Sequence, residues 1–193
     1  REELEKMFAH PARERAWTLL SECGLLPYLW LGAAWSNEQV QRTRTLLARV
    51  PAAAPVELTF ALLLADRDAR EIERVARALT LSNEQREAVL WLVAHQADLD
   101  DPHRPTLAEL KRLMANPAFA ELSRWTQARH QDYPDGAQRQ AALAARVSAI
   151  RPEAVQPPPL VTGEDLLARG VSPGPIYREI LDALYTQQLA EEL

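Results

Sequence analysis

The string SNEQ occurs twice, at Ser36–Gln39 and Ser82–Gln85, and it constrains this chain more than any other feature. A serine followed three residues later by glutamine can satisfy two helix-end amides at once. The hydroxyl accepts from the third helical N–H while the glutamine reaches back to the cap N–H. Each copy therefore predicts a helix start. Thr106–Glu109 (TLAE) and Thr162–Asp165 (TGED) predict two more, with an acid in the first turn, where the helix dipole favours it. The two SNEQ strings stand 46 residues apart, a spacing that suits helical repeats. Their flanks, QVQRTRTLLARV and REAVLWLVAHQ, do not align. They share capping chemistry, not a repeat.

Between these starts the apolar residues recur with a helical period, and alternating strand patterns are nearly absent. The periodicity predicts helices near 2–9, 12–23, 37–49, 56–65, 68–79, 83–97, 107–115, 117–131, 136–150, 164–169 and 175–191. Prolines at 11, 27, 51, 55, 102, 105, 117 and 134 fall at the breaks, where a residue without an N–H does least harm. The fold class is all-α: a multi-helix bundle followed by a short helical tail with a helix-hairpin-helix-like turn. The segment RPEAVQPPPL favours extended polyproline geometry. It divides a helical body, 1–150, from a tail, 160–193, with 151–159 as the linker.

The composition is that of an ordinary globular protein, 47% hydrophobic and 25% charged. Net charge is −5, of which −4 falls in residues 151–193. A protein holding nucleic acid by bulk electrostatics is basic, so any RNA contact here must use local patches. Of the 22 basic residues, 20 are arginine, the better fork for phosphate. The single cysteine, Cys23, forms no intramolecular disulfide and fits a reducing, cytoplasmic setting. No apolar run reaches membrane-spanning length. The chain begins at Arg1, and REELEKMF reads as mid-helix, so we expect a piece of a longer protein.

Several clusters carry candidate chemistry. Arg67, Arg70, Arg74 and Arg77 are spaced 3, 4 and 3 and share one helix face. That row admits two readings. It is a strip tracking a phosphate backbone, or a solvated face closed by ion pairs at Asp66–Arg70, Glu71–Arg74 and Glu73–Arg77. The loop HQADLDDPHRP brings His95, Asp98, Asp100, Asp101 and His103 close in sequence, which suits a metal or an ordinary polar turn; the turn is the reading we adopt, with no metal site. Trp91 and its aliphatic neighbours read as core. Trp17, Trp30, Trp35 and Trp125 show no base-stacking pattern. No nucleophile–base pair, phosphate loop or carboxylate constellation appears, so no catalytic residue is assigned.

Three of the six glycines, Gly163, Gly170 and Gly174, fall inside twelve residues of the tail. Leu166, Leu167 and Val171 precede this turn, and Ile176, Ile180 and Leu184 follow it at helical spacing. Pro175 suits a first helical position. The amides of Gly174, Ile176 and Tyr177 are then expected free at a positive helix end, with Arg169 and Arg178 adding charge. The alternative is a hairpin that only packs.

At this point a resemblance enters. The stretch PPPLVTGEDLLARGVSPGPIYREILDALYTQQL resembles the C-terminal end of the bacterial tRNA nucleotidyltransferase (CCA-adding)/poly(A) polymerase family. The pattern is a leucine, TG-x-DL, then G-h-x-PGP and an amphipathic helix; Thr162, Gly163, Asp165, Leu166, Gly170, Pro173, Gly174 and Pro175 match it. Upstream, RERAWTLLSECGLLPYLW and RALTLSNEQREAVLWLV are similar to two further family segments. REELEKMF is similar to the end of a neck motif whose last acid is Glu3. The resemblance implies a helical neck, body and tail that hold RNA; the candidate RNA contacts are Arg169, Gly170, Gly174, Ile176, Tyr177 and Arg178 at the tail turn and, from their spacing, Arg67, Arg70, Arg74 and Arg77. It implies a separate N-terminal catalytic head as partner, with Mg2+ and CTP or ATP used there, and tRNA or another RNA 3′ end as substrate. The head's motifs are absent from these residues, so the 193-residue chain is expected to be inactive alone. LLLAD, with Ala65 before Asp66, lacks the histidine of the His-Asp insertion some members carry. A helical protein-interaction or scaffold domain without an RNA role is the alternative.

Overall fold

Each of the four helix starts expected from capping chemistry is a helix start in the computed structural model, which describes residues 2–30, 32, 34–51, 54–170 and 174–193. In chain order the helices are α1 (Glu2–Ala9), α2 (Arg13–Glu22), α3 (Leu26–Leu29), α4 (Asn37–Arg49), α5 (Val56–Leu63), α6 (Ala69–Ala78), α7 (Asn83–His95), α8 (Leu107–Met114), α9 (Phe119–His130), α10 (Gly136–Ala149), α11 (Pro152–Val155), α12 (Gly163–Ala168) and α13 (Pro175–Leu189). No strand occurs among the described residues. The protein is all-α.

The caps close as their chemistry requires. Ser36 accepts from the Gln39 N–H at 3.1 Å while the Ser36 N–H donates to Gln39 Oε1 at 2.9 Å. Ser82 and Gln85 repeat the arrangement at 3.1 Å in both directions. A further box, at Asp68 and Glu71, opens α6. Two four-residue helices, α3 and α11, escape the periodicity because neither completes enough turns to show a repeat.

Two compact units form, Arg1–Asp100 with Ala120–Ala137, and Asp101–Phe119 with Gln138–Leu193. In the first unit α5 is the centre. Its sequence VELTFALL is apolar nearly all round, the mark of a fully enclosed helix, and Leu58 through Leu63 are all buried. It packs against α1, α4 and α7, while α2 lies on α1 and α4, and α6 on α7. Phe8, Trp17, Leu47, Ile72, Val89, Leu92 and Trp125 are among the other buried residues of this core. Each such side chain contributes about 2 kcal/mol of apolar burial.

Arg13 lies within that core. It is buried, and its Nε donates to the Leu47 carbonyl at 3.1 Å, while Nη2 donates to Val50 and, at 2.8 Å, to Pro51. A guanidinium thus caps the C-terminal end of α4, where the carbonyls lack helical partners and the dipole is negative. Burial pulls its pKa below the usual arginine value.

In the second unit α8 packs against α11 and α13, and α12 against α13. Ala108, Leu110, Leu113, Leu166 and Leu189 are buried on these helices, joined by Lys111. Helix α13 ends in a Schellman arrangement. Glu191 N–H donates to Gln188 O at 3.1 Å and Glu192 N–H to Gln187 O at 3.0 Å. Glu191 occupies the left-handed position, φ +62°, that glycine normally fills. The same closure ends α2 with Gly24 and α6 with Thr80.

Candidate nucleic-acid interface

The tail turn is built from both ends. At the start of α12, the Thr162 N–H and hydroxyl donate to the Asp165 carboxylate at 2.8 and 2.7 Å. The Thr162 hydroxyl, then its N–H, holds the Asp165 carboxyl below the usual range. At the end of α12 the chain turns at Gly170, φ +78°, a left-handed conformation that glycine adopts without a Cβ clash. Val171, Ser172 and Pro173, which complete the expected motif, lie outside the described residues. Gly174 precedes α13 with an extended backbone and open space in front of it, and Pro175 takes the first helical position.

The expectation of a free amide is corrected at Tyr177. The Tyr177 N–H donates to Gly174 O at 3.0 Å, because the first turn of α13 closes on the cap residue. The Tyr177 hydroxyl donates to Gly163 O at 3.3 Å, so the side chain is a strut between α12 and α13. Ile176 is 56% exposed, although its spacing with Ile180 and Leu184 predicts a packed face; those two are half-buried. Arg169 and Arg178 are exposed. A groove runs between the stretch before α12 and α13, lined by Pro159, Val161, Tyr177, Arg178, Leu181 and Tyr185 among others.

That groove owes its wall to residues that sequence reasoning missed. The Tyr185 hydroxyl donates to Pro157 O at 3.0 Å, and Gln188 Nε2 to Pro158 O at 2.9 Å. Gln188 Oε1 accepts from the Leu160 N–H at 2.9 Å. A polyproline segment has no internal hydrogen bonds, so its carbonyls are available to such donors. The signal for this clasp was the placement of Tyr177, Tyr185 and Gln188 along one side of α13.

In the first unit the arginine row divides. Arg67 leaves it: its guanidinium donates to Ala34 O at 2.7 Å and lies 4.8 Å from the Trp35 ring centroid. Trp35 in turn joins Trp17 and Trp30 in a triangle of edge-on rings with centroids 5.0 to 5.9 Å apart. Trp17 and Trp30 are buried, so these two rings belong to the core and are closed to a stacking base, while Trp35 is half-buried beneath Arg67. Arg70, Arg74 and Arg77 are exposed on α6 and line a shallow groove with Ala69 and Glu73. Of the three expected ion pairs one forms, Arg77 to Glu73 at 2.8 Å. Asp66 pairs with Arg42 instead, and the Glu71 carboxylate accepts from the Asp68 N–H at the cap.

Elsewhere, Glu3 is exposed and pairs with Lys6 at 2.9 Å. In the 95–105 loop, His95 Nδ1 and Asp98 Oδ2 are 2.7 Å apart, Asp100 pairs with Arg129, and Asp101 accepts from the His103 N–H at 2.9 Å. These side chains are thus dispersed into separate pairs, and among the described residues no group of three metal-ligating side chains comes together. Cys23 is a free, exposed thiol. No helix is long and apolar enough to cross a membrane among the described residues.

No family model, no curated protein and no solved structure matches this chain.

Proposed function

We propose that this chain is the helical neck–body–tail region of a cytoplasmic tRNA nucleotidyltransferase or poly(A) polymerase, and that its work is to hold RNA. Nucleotide addition from CTP or ATP, with Mg2+, is then the task of a separate catalytic head, and the 3′ end of a tRNA or another RNA is its substrate. The resemblance of the tail supports this reading, and one structural observation carries it. The TGEDLLARG…GP string forms a helix, a left-handed glycine and a second helix opened by proline, with Gly174 uncrowded and Arg169 and Arg178 exposed. Such a turn can meet phosphates by shape and charge without reading bases.

The test is a mobility shift of the purified 193-residue chain with a tRNA transcript across a salt series. The reading expects retardation that weakens as salt rises, and weaker binding with a shallower salt slope for Arg178→Glu. Absence of any shift at low salt would sink it. A scaffold reading finds its observation in Tyr28, 83% exposed, with Leu19 and Leu25 also exposed; protein capture without RNA binding would favour it.

A further inference from the structure

Helix α6 presents opposite faces of opposite character. At 100° per residue, Ile72, Val75 and Ala76 point into the core, where they are buried. Arg70, Arg74 and Arg77 fall within roughly 60° of one another on the far side. Arg70 and Arg74 make no ion pair or hydrogen bond among the described residues. Asp68 and Glu71, two of the neighbouring acids, are turned to the helix cap. Glu73 alone stands at the edge of the arginine face, 2.8 Å from Arg77 Nη2 and 3.9 Å from Arg86 Nε.

Resting on the RNA-holding reading above, we infer that the Arg70–Arg74–Arg77 face of α6 grips the sugar-phosphate backbone without regard to sequence, and that Glu73 is a built-in counter-charge that keeps the grip loose. The geometry favours a linear polyanion. Arg70 and Arg77 are seven residues apart, about 10 Å along the helix axis, so the cations form a line rather than a pocket. The groove they line holds no aromatic side chain, which removes base stacking as a means of attachment. Guanidinium forks suit phosphate oxygens, and exposed ones keep that capacity. Glu73 holds Arg77 out of play, leaving two of the three cations ready; an incoming phosphate must compete for the third.

The experiment uses the 193-residue chain and two blunt 20-base-pair RNA duplexes of unrelated sequence, with circular dichroism to confirm the fold of each variant. The wild type should bind both duplexes with equal affinity. Arg70→Ala with Arg74→Ala should lower the slope of log affinity against log salt by about 2. Glu73→Gln should tighten binding about threefold, by releasing Arg77, a gain that misfolding cannot produce. If the wild type binds but neither variant differs from it, this inference fails while the RNA-holding reading stands. If the wild type binds neither duplex nor tRNA at low salt, both fail. Tighter capture of poly-glutamate than of RNA would assign the face to an acidic protein and overturn the inference.

Discussion

Lys111 Nζ donates to Glu191 Oε1 at 2.8 Å, joining a buried lysine on α8 to an exposed carboxylate just past the end of α13. The two partners are unequal. Removing Glu191 strands an ammonium inside the second unit, whereas removing the charge of Lys111 strands nothing that water cannot solvate. Glu191→Ala should therefore lower the melting temperature more than Lys111→Met, which keeps the apolar stem. Equal losses in a thermal scan would contradict the asymmetry.

The second unit should be the first to yield to acid. Glu191, Glu109 and Asp165 all lie there, and each carboxyl is held below its usual range: Glu191 by the Lys111 hydrogen bond, Glu109 by the Thr106 N–H, Asp165 by the Thr162 hydroxyl. A depressed folded-state value means stabilisation that is complete above the unfolded value, about 4.3 for Glu and 3.9 for Asp. It is lost as pH falls through the lower folded value. Hydrogen exchange followed from pH 6 to pH 3 should show protection lost in α8, α12 and α13 before α5 and α7. Loss in the opposite order would refute the assignment.

Arg13→Met should destabilise the first unit by about 2–4 kcal/mol. The methionine fills much of the volume, but the carbonyls of Leu47, Val50 and Pro51 lose their donor. Urea unfolding followed by tryptophan fluorescence reads this directly, since Trp17 lies one turn further along α2.

Gly136→Ala should cost about 2–3 kcal/mol, as an overpacked site does. A Cβ at Gly136 would clash with the carbonyl oxygen of His130, a backbone atom that no rotamer change can move aside. By contrast Gly174→Ala meets nothing within 4 Å and should leave thermal stability nearly unchanged. The pair of melts checks both statements.

Arg67→Ala should lower stability by about 0.5–1 kcal/mol, through loss of its stacking on Trp35, and change RNA affinity less than about twofold. An RNA-binding loss as large as that of Arg74→Ala would return Arg67 to the phosphate row.

Helix positions were legible in the sequence because their causes are local. A serine, threonine or aspartate at the cap, a partner three residues on and proline at the break act within one turn. The structure accordingly places α4, α7 and α8 at Ser36, Ser82 and Thr106, with the all-α class following from helical periodicity. What lies opposite each helix is not local. Arg67, Arg70, Arg74 and Arg77 are equivalent in spacing, yet packing sends Arg67 onto Trp35 and leaves Arg70 and Arg74 bare. Asp66 reaches Arg42, 24 residues away, rather than its neighbour Arg70. The Tyr177–Gly163 strut and the Tyr185–Pro157 clasp likewise depend on how two segments meet. Charge pairing and burial are settled by distances through space, and only the tertiary structure decides those.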